Sequence, residues 1–130
     1  MVLLHTDYPR HYWEHAEGSG QHRHAGFVQS HELLAWLWDH RVPLVAADTF
    51  AVECIPKSPD TPLAAGDALG GGLLHPHLIA LLGMVLGELW KLDDLASDCA
   101  NDDVYDFMLV VKPLNLIGGV GSPANATAIK

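Results

Sequence analysis

Pro43-Leu44-Val45-Ala46-Ala47-Asp48-Thr49 is the stretch on which the fold turns. Four apolar residues in a row, with a proline before and polar residues after, suit a strand covered on both faces, as in a parallel sheet between layers. Upstream, residues 2–6 read as another short buried strand. A helix separates the two: Ser30 is a good N-cap, Leu33/Leu37 and Leu34/Trp38 pair at i,i+4, and the pattern stops near His40. Residues 7–27 are polar, rich in His and Gly and without a period, which predicts a surface loop with one helical turn.

Working onward, residues 49–53 are expected to form a second short strand. Residues 56–72 hold three prolines and four glycines, the mark of a loop. A helix is predicted to begin near His75, with Pro76 in the tolerated first turn. Leu92, Leu95, Ala96 and Cys99 fall at i, i+3, i+4 and i+7 of another helix whose first turn carries Asp93 and Asp94. Residues 105–111 and 127–129 read as strands. Strands alternating with helices imply an α/β layered fold, and there is no internal repeat.

The chain of 130 residues fits one domain, 1–130, and its 49% hydrophobic content is enough for a core. Its net charge of −9, with 7 Lys+Arg, argues against nucleic acid and membrane surfaces as partners. The apolar stretch over residues 78–89 is broken by Gly83, Gly87 and Glu88 and is too short to span a bilayer. The start has no basic region followed by an apolar one, so a cytoplasmic protein is expected, with Cys54 and Cys99 as reduced, buried thiols.

The chemistry-bearing phrase is Leu74-His75-Pro76-His77, then Gly83-Met84 and Leu86-Gly87-Glu88-Leu89-Trp90. Neutral His and ionised Glu are ordinary ligands for zinc or manganese. A carboxylate in company as apolar as that of Glu88 needs a partner: a metal, a cluster of backbone amides or an arginine. Asp48-Thr49 suits either a strand-end site or a turn cap. His11, His15, His22 and His24 read as a solvated polar tract more readily than as ligands, and His77 as exposed. Trp36, Trp38 and Trp90 are expected in the core or an interface. Gly118-Gly119-Val120-Gly121 lacks the lysine of a phosphate loop, and Ser122 lacks the frame of a nucleophile elbow.

These landmarks carry a resemblance. Gln29-Ser30, Trp36-Leu37, Ala47-Asp48-Thr49, Glu53, Leu74-His75, Gly83-Met84, Leu86-Gly87-Glu88, Asp98-Cys99 and Gly121-Ser122-Pro123-Ala124-Asn125 with Ala128-Ile129 resemble the C-terminal half of the putative cyclase family, which includes the kynurenine formamidases (arylformamidases). The resemblance implies a swivelling β/β/α-type fold, a mixed sheet with flanking helices, here as an incomplete, C-terminal-half version. It also implies a metal-dependent hydrolase that cleaves an amide, formamide or lactone-type bond of a small molecule through a metal-bound water. His75 and Glu88 match the family's late pair of metal ligands, with zinc or manganese as the metal, and a homo-oligomer is implied. The family's early signature is His-x-Gly-Thr-His-x-Asp-x-Pro-x-His. His5-Thr6-Asp7-Tyr8-Pro9-Arg10-His11 fits its end, but Met1, Leu3 and Leu4 stand where His, Gly and Thr belong. Two alternatives follow: a non-catalytic remnant or subunit that needs a partner chain, or a compact enzyme using His5, Asp7 and His11 with His75 and Glu88.

Overall fold

The computed structural model describes residues 1–15, 23–64 and 71–130. The apolar run does form a doubly covered strand. β2 (Leu44–Ala47) is the middle of a parallel sheet, flanked by β1 (Val2–Leu4) and β3 (Val85–Gly87) in the order β1-β2-β3. Val2 registers with Val45, and Val45 with Leu86. Val45, Ala46 and Ala47 are wholly buried, as a central parallel strand requires.

Between β1 and β2 lie two helices. α1 (Tyr8–His15) is a two-turn helix where a loop with one helical turn was expected; its ring cluster explains it, since Tyr8 is buried and meets Tyr12, His24 and Phe50 within 5.8 Å. α2 (His31–Asp39) starts as predicted, with the Leu33 N–H donating to Ser30 Oγ at 3.1 Å. It buries Leu37 against the sheet; of the tryptophans expected in the core or an interface, Trp90 is buried, while Trp36 and Trp38 are exposed.

Residues 49–53 are not the second strand that was expected. The chain bends after Asp48: the Thr49 carbonyl accepts from the Leu89 N–H and the Thr49 hydroxyl donates to the Ala51 carbonyl. Beyond the bend, Glu53 and Ile55 make isolated bridges to Phe27 and His24. Gly26 permits this approach, because a Cβ there would lie 2.4 Å from the Glu53 carbonyl carbon.

The loop expected over residues 56–72 contains a 3₁₀ turn at Pro62–Ala64, and its residues 65–70 lie outside the described residues. α3 (Leu74–Pro76) runs into a π-helical turn (His77–Leu81), which Gly83 ends at φ +64°. Leu37, Val45, Ala47, Val52, Leu74 and Leu78 form the centre of the core.

The chain divides into two compact units, Met1–Lys91 and Leu92–Lys130. The second holds α4 (Asp93–Asp102) and an antiparallel pair, β4 (Met108–Val110) with β5 (Thr127–Ile129). In it, the Lys130 ammonium pairs with Asp98 at 3.0 Å and Asp102 at 2.8 Å, both on α4. Both cysteines are free, Cys99 buried and Cys54 half-buried. Among the described residues, no helix is long and apolar enough to cross a membrane.

Candidate metal centre

The ends of the parallel strands place the site. Glu88 follows the last residue of β3, at the carboxyl edge where ligands of open α/β sheets bind. Its neighbour Leu89 has φ +55°, a left-handed conformation rare for a leucine, held by the Leu89 N–H to the Thr49 carbonyl at 3.0 Å. His75 sits in the first turn of α3. The structure brings the two together: His75 Nε2 is 2.7 Å from Glu88 Oε1. Both side chains are about one-third exposed, at 32% and 34%, so the pair faces an accessible surface.

Behind the pair stands Glu53, whose side chain is 1% exposed. Its Oε1 accepts from His75 Nδ1 at 2.6 Å and from the His75 backbone N–H at 3.2 Å. Its Oε2 accepts from the Leu74 N–H at 2.8 Å and from Gln29 Nε2 at 2.9 Å. Leu73 offers no side-chain cap to α3, so this distant carboxylate satisfies the helix's first free N–H groups. Gln29, wholly buried, also donates to the Cys54 carbonyl, and its Oε1 accepts from the Ser58 N–H and the Cys54 thiol. The result is a chain of contacts, Gln29–Glu53–His75–Glu88, fixed at its buried end and open at the other.

The electrostatics follow from this geometry. The hydrogen bond that His75 donates to Glu53, and then that to Glu88, outweigh burial and push the His75 imidazole up to about 9. Burial pushes the Glu53 carboxyl up, but the hydrogen bonds from His75, Leu74 and Gln29 together hold it below its ordinary value. With both ring nitrogens donating, the imidazolium lies between two carboxylates, and the proton on Nε2 is the one a cation would replace.

Glu53 belonged to the resemblance but was not picked out as a site residue. A carboxylate between Val52 and Cys54 was the available signal, since burial demands partners.

The remaining candidates fall elsewhere. Asp48 caps a turn: its Oδ2 accepts from the Thr6 N–H at 2.9 Å and the Asp7 N–H at 2.8 Å, and its Oδ1 from the Thr6 hydroxyl at 2.7 Å. These bonds tie the end of β1 to the end of β2. His5 Nε2 is 3.9 Å from Asp48 Oδ2, Asp7 pairs with Arg10, and His11 is exposed on α1. None of the three joins His75 and Glu88. Glu53 meets His75 on its Nδ1 side, and among the described residues His75 and Glu88 belong to no group of three His, Cys, Asp or Glu side chains whose ligand atoms all lie within 4.8 Å of one another. His77 is half-buried, with Nδ1 donating to the Leu73 carbonyl at 3.0 Å. His24 is buried, the His15 side chain and His22 lie outside the described residues, and Ser122 accepts from the Leu114 N–H, a structural role.

This donor set fits a divalent cation in part. An imidazole held by a buried carboxylate through its other nitrogen is the usual orientation of a ligating histidine, and Glu88 supplies a second donor beside it. A catalytic zinc takes three protein ligands.

The chain is similar to a protein of known crystal structure described as a novel cyclase: 37% identical, with a TM-score of 0.61, over 76% of this chain and 28% of that one. No family model and no curated protein matches the chain. At this identity the likeness extends beyond fold and supports the cyclase family. The mixed α/β architecture, with one parallel and one antiparallel sheet, is consistent with a cyclase-like fold. The chain spans about a quarter of the length of that relative.

Proposed function

We propose that this chain carries half of the metal centre of a metal-dependent hydrolase of the cyclase family, arylformamidase-like, that cleaves an amide, formamide or lactone-type bond of a small molecule. The observation that supports the reading most is the Glu53–His75–Glu88 array, in which a buried carboxylate orients an imidazole whose far nitrogen meets a second carboxylate at an accessible edge. His75 Nε2 and Glu88 would hold zinc or manganese. When bound, the metal supplies Lewis acidity that polarises the substrate carbonyl and makes a water acidic enough to attack at neutral pH. Glu53 keeps the Nδ1 proton in place, so that Nε2 presents its lone pair. Glu88 adds negative charge, which favours a divalent cation over a proton.

A second reading rests on the donor count. Two ligands among the described residues do not complete a shell, so catalysis would need further ligands from a partner chain.

A panel of formyl-amides and lactones, assayed with zinc or manganese, tests the first reading. Turnover that is lost on chelation, restored by metal and absent in His75→Ala supports it. Metal binding without turnover on any substrate supports the second reading.

A further inference from the structure

The link from α2 into β2 reads Leu37-Trp38-Asp39-His40-Arg41-Val42. Helices commonly end on a glycine in the left-handed conformation, which it enters without a Cβ penalty. Here the residue beyond the His40 cap is an arginine, with φ +52°. The turn is closed all the same: the Arg41 N–H donates to the Trp38 carbonyl at 2.9 Å and the Val42 N–H to the Leu37 carbonyl at 3.0 Å. A backbone state that disfavours arginine thus holds a guanidinium at this point.

Arg41 lines a cavity of about 440 Å³, within the size range of small-molecule pockets. Leu37, Val42, Leu82 and Met84 supply its apolar lining, and Trp38 and Asp39 stand with Arg41. Leu37 and Met84 are buried, whereas Trp38, Asp39 and Arg41 are exposed, so the charges lie at the rim. Val42 precedes β2, and Leu82 and Met84 precede β3, which sets the cavity at the amino ends of these parallel strands. Glu88 follows the opposite, carboxyl end of β3. The cavity is therefore a different site from that of His75 and Glu88.

Its two rim charges have opposite signs and are not paired with each other. Among the described residues, neither the Asp39 carboxylate nor the Arg41 guanidinium has a hydrogen-bond or ion-pair partner. We propose that this cavity binds the zwitterion of an apolar α-amino acid. Arg41 meets its carboxylate, Asp39 its ammonium group, and the lining of Leu37, Val42 and Met84 its side chain. The charges select this class. A simple anion would be repelled by Asp39 and a simple cation by Arg41, whereas a ligand carrying both signs satisfies both groups. Met84 gives the floor an unbranched, adaptable side chain, which suits apolar groups of differing shape. The proposal stands independently of the metal centre.

An NMR titration of the full chain with L-leucine tests it, run with chelator so that no metal at His75 and Glu88 draws the amino acid. The Trp38 indole N–H and the Met84 methyl should shift and saturate, with a dissociation constant of about 1 mM or tighter. Isoamylamine and isocaproate carry the leucine side chain with one charge each. Both should bind about tenfold more weakly or worse, since each leaves one rim charge unmet. Arg41→Gly removes the guanidinium from a backbone conformation that glycine accepts, so it should keep the wild-type melting temperature. It should nevertheless weaken leucine binding about tenfold or more, as should Asp39→Asn. Glu32→Gln, an exposed change in the first turn of α2, should leave affinity unchanged. Absence of leucine binding, or binding that shifts neither Trp38 nor Met84, would overturn the proposal. So would affinity that survives in either rim variant. An analogue that binds as tightly as leucine would overturn it too, by assigning the cavity to a ligand of one charge.

Discussion

Glu53 accepts four N–H donors on its two carboxylate oxygens, two on each. Glutamine has nearly the same shape, but whichever way its amide turns, an NH₂ group meets two donors. Glu53→Gln is therefore expected to lower stability by about 3 kcal/mol, the cost of breaking a buried charged pair from one side. It should also weaken metal binding by about 10–100-fold, as loss of the partner that orients a ligating histidine does. Denaturant melts and calorimetric metal titration check the two effects separately. A variant as stable as wild type would show that the buried carboxylate is not the anchor of the array. At this scale the sequence was informative but incomplete. His75 and Glu88 stood out through the resemblance; Glu53 as their support did not, because its partners Gln29 and Leu74 are brought to it by tertiary folding.

Among the elements, the strap over residues 24–27 has the most exposed tolerance limit. Gly26 lies against the backbone of Glu53 and Cys54, at 2.4 Å and 2.6 Å from a would-be Cβ. Gly26→Ala is expected to cost about 1–3 kcal/mol, in the range of overpacking, and to weaken metal binding because it displaces the segment that carries Glu53. Ser30→Ala, which removes the α2 cap far from that segment, should cost about 1 kcal/mol with metal affinity unchanged. Paired thermal melts and metal titrations of the two variants distinguish them; equal effects on affinity would contradict the assigned role of the strap. α2 and β2 were legible because their signals are local: a cap with an i,i+4 stripe, and a run buried on both faces. β3 was not, since Val85-Leu86-Gly87 becomes a strand only through its register with β2. α1 escaped for a similar reason, as its stability comes from rings contributed by His24 and Phe50.

For the whole molecule, the array links stability to pH in the metal-free protein. His75 is raised from 6.5 to about 9, so its contribution is fully present below pH 6.5 and is lost as pH rises through about 9. Glu53 is lowered from 4.5, so its contribution is present above that value and lost as pH falls through the lower, folded one. Stability in the presence of chelator should therefore be highest between about pH 4.5 and 6.5, with His75→Asn removing the alkaline limb. Denaturant melts across pH provide the check; an alkaline limb that survives in His75→Asn would assign it to another group. The α/β class was readable along the chain, as was the pairing of His75 with Glu88, whose side chains meet. The division at Lys91 was not, because a boundary between compact units is set by three-dimensional contacts and not by a run of linker residues.

Metal content decides the central claim. Elemental analysis of the purified chain, with His75→Ala, Glu88→Ala and His11→Ala beside it, should find zinc or manganese near one per chain in the wild type. The first two variants should lose it, and the third should keep it. Wild-type protein without metal above background, or metal retained in His75→Ala or in Glu88→Ala, would contradict the account.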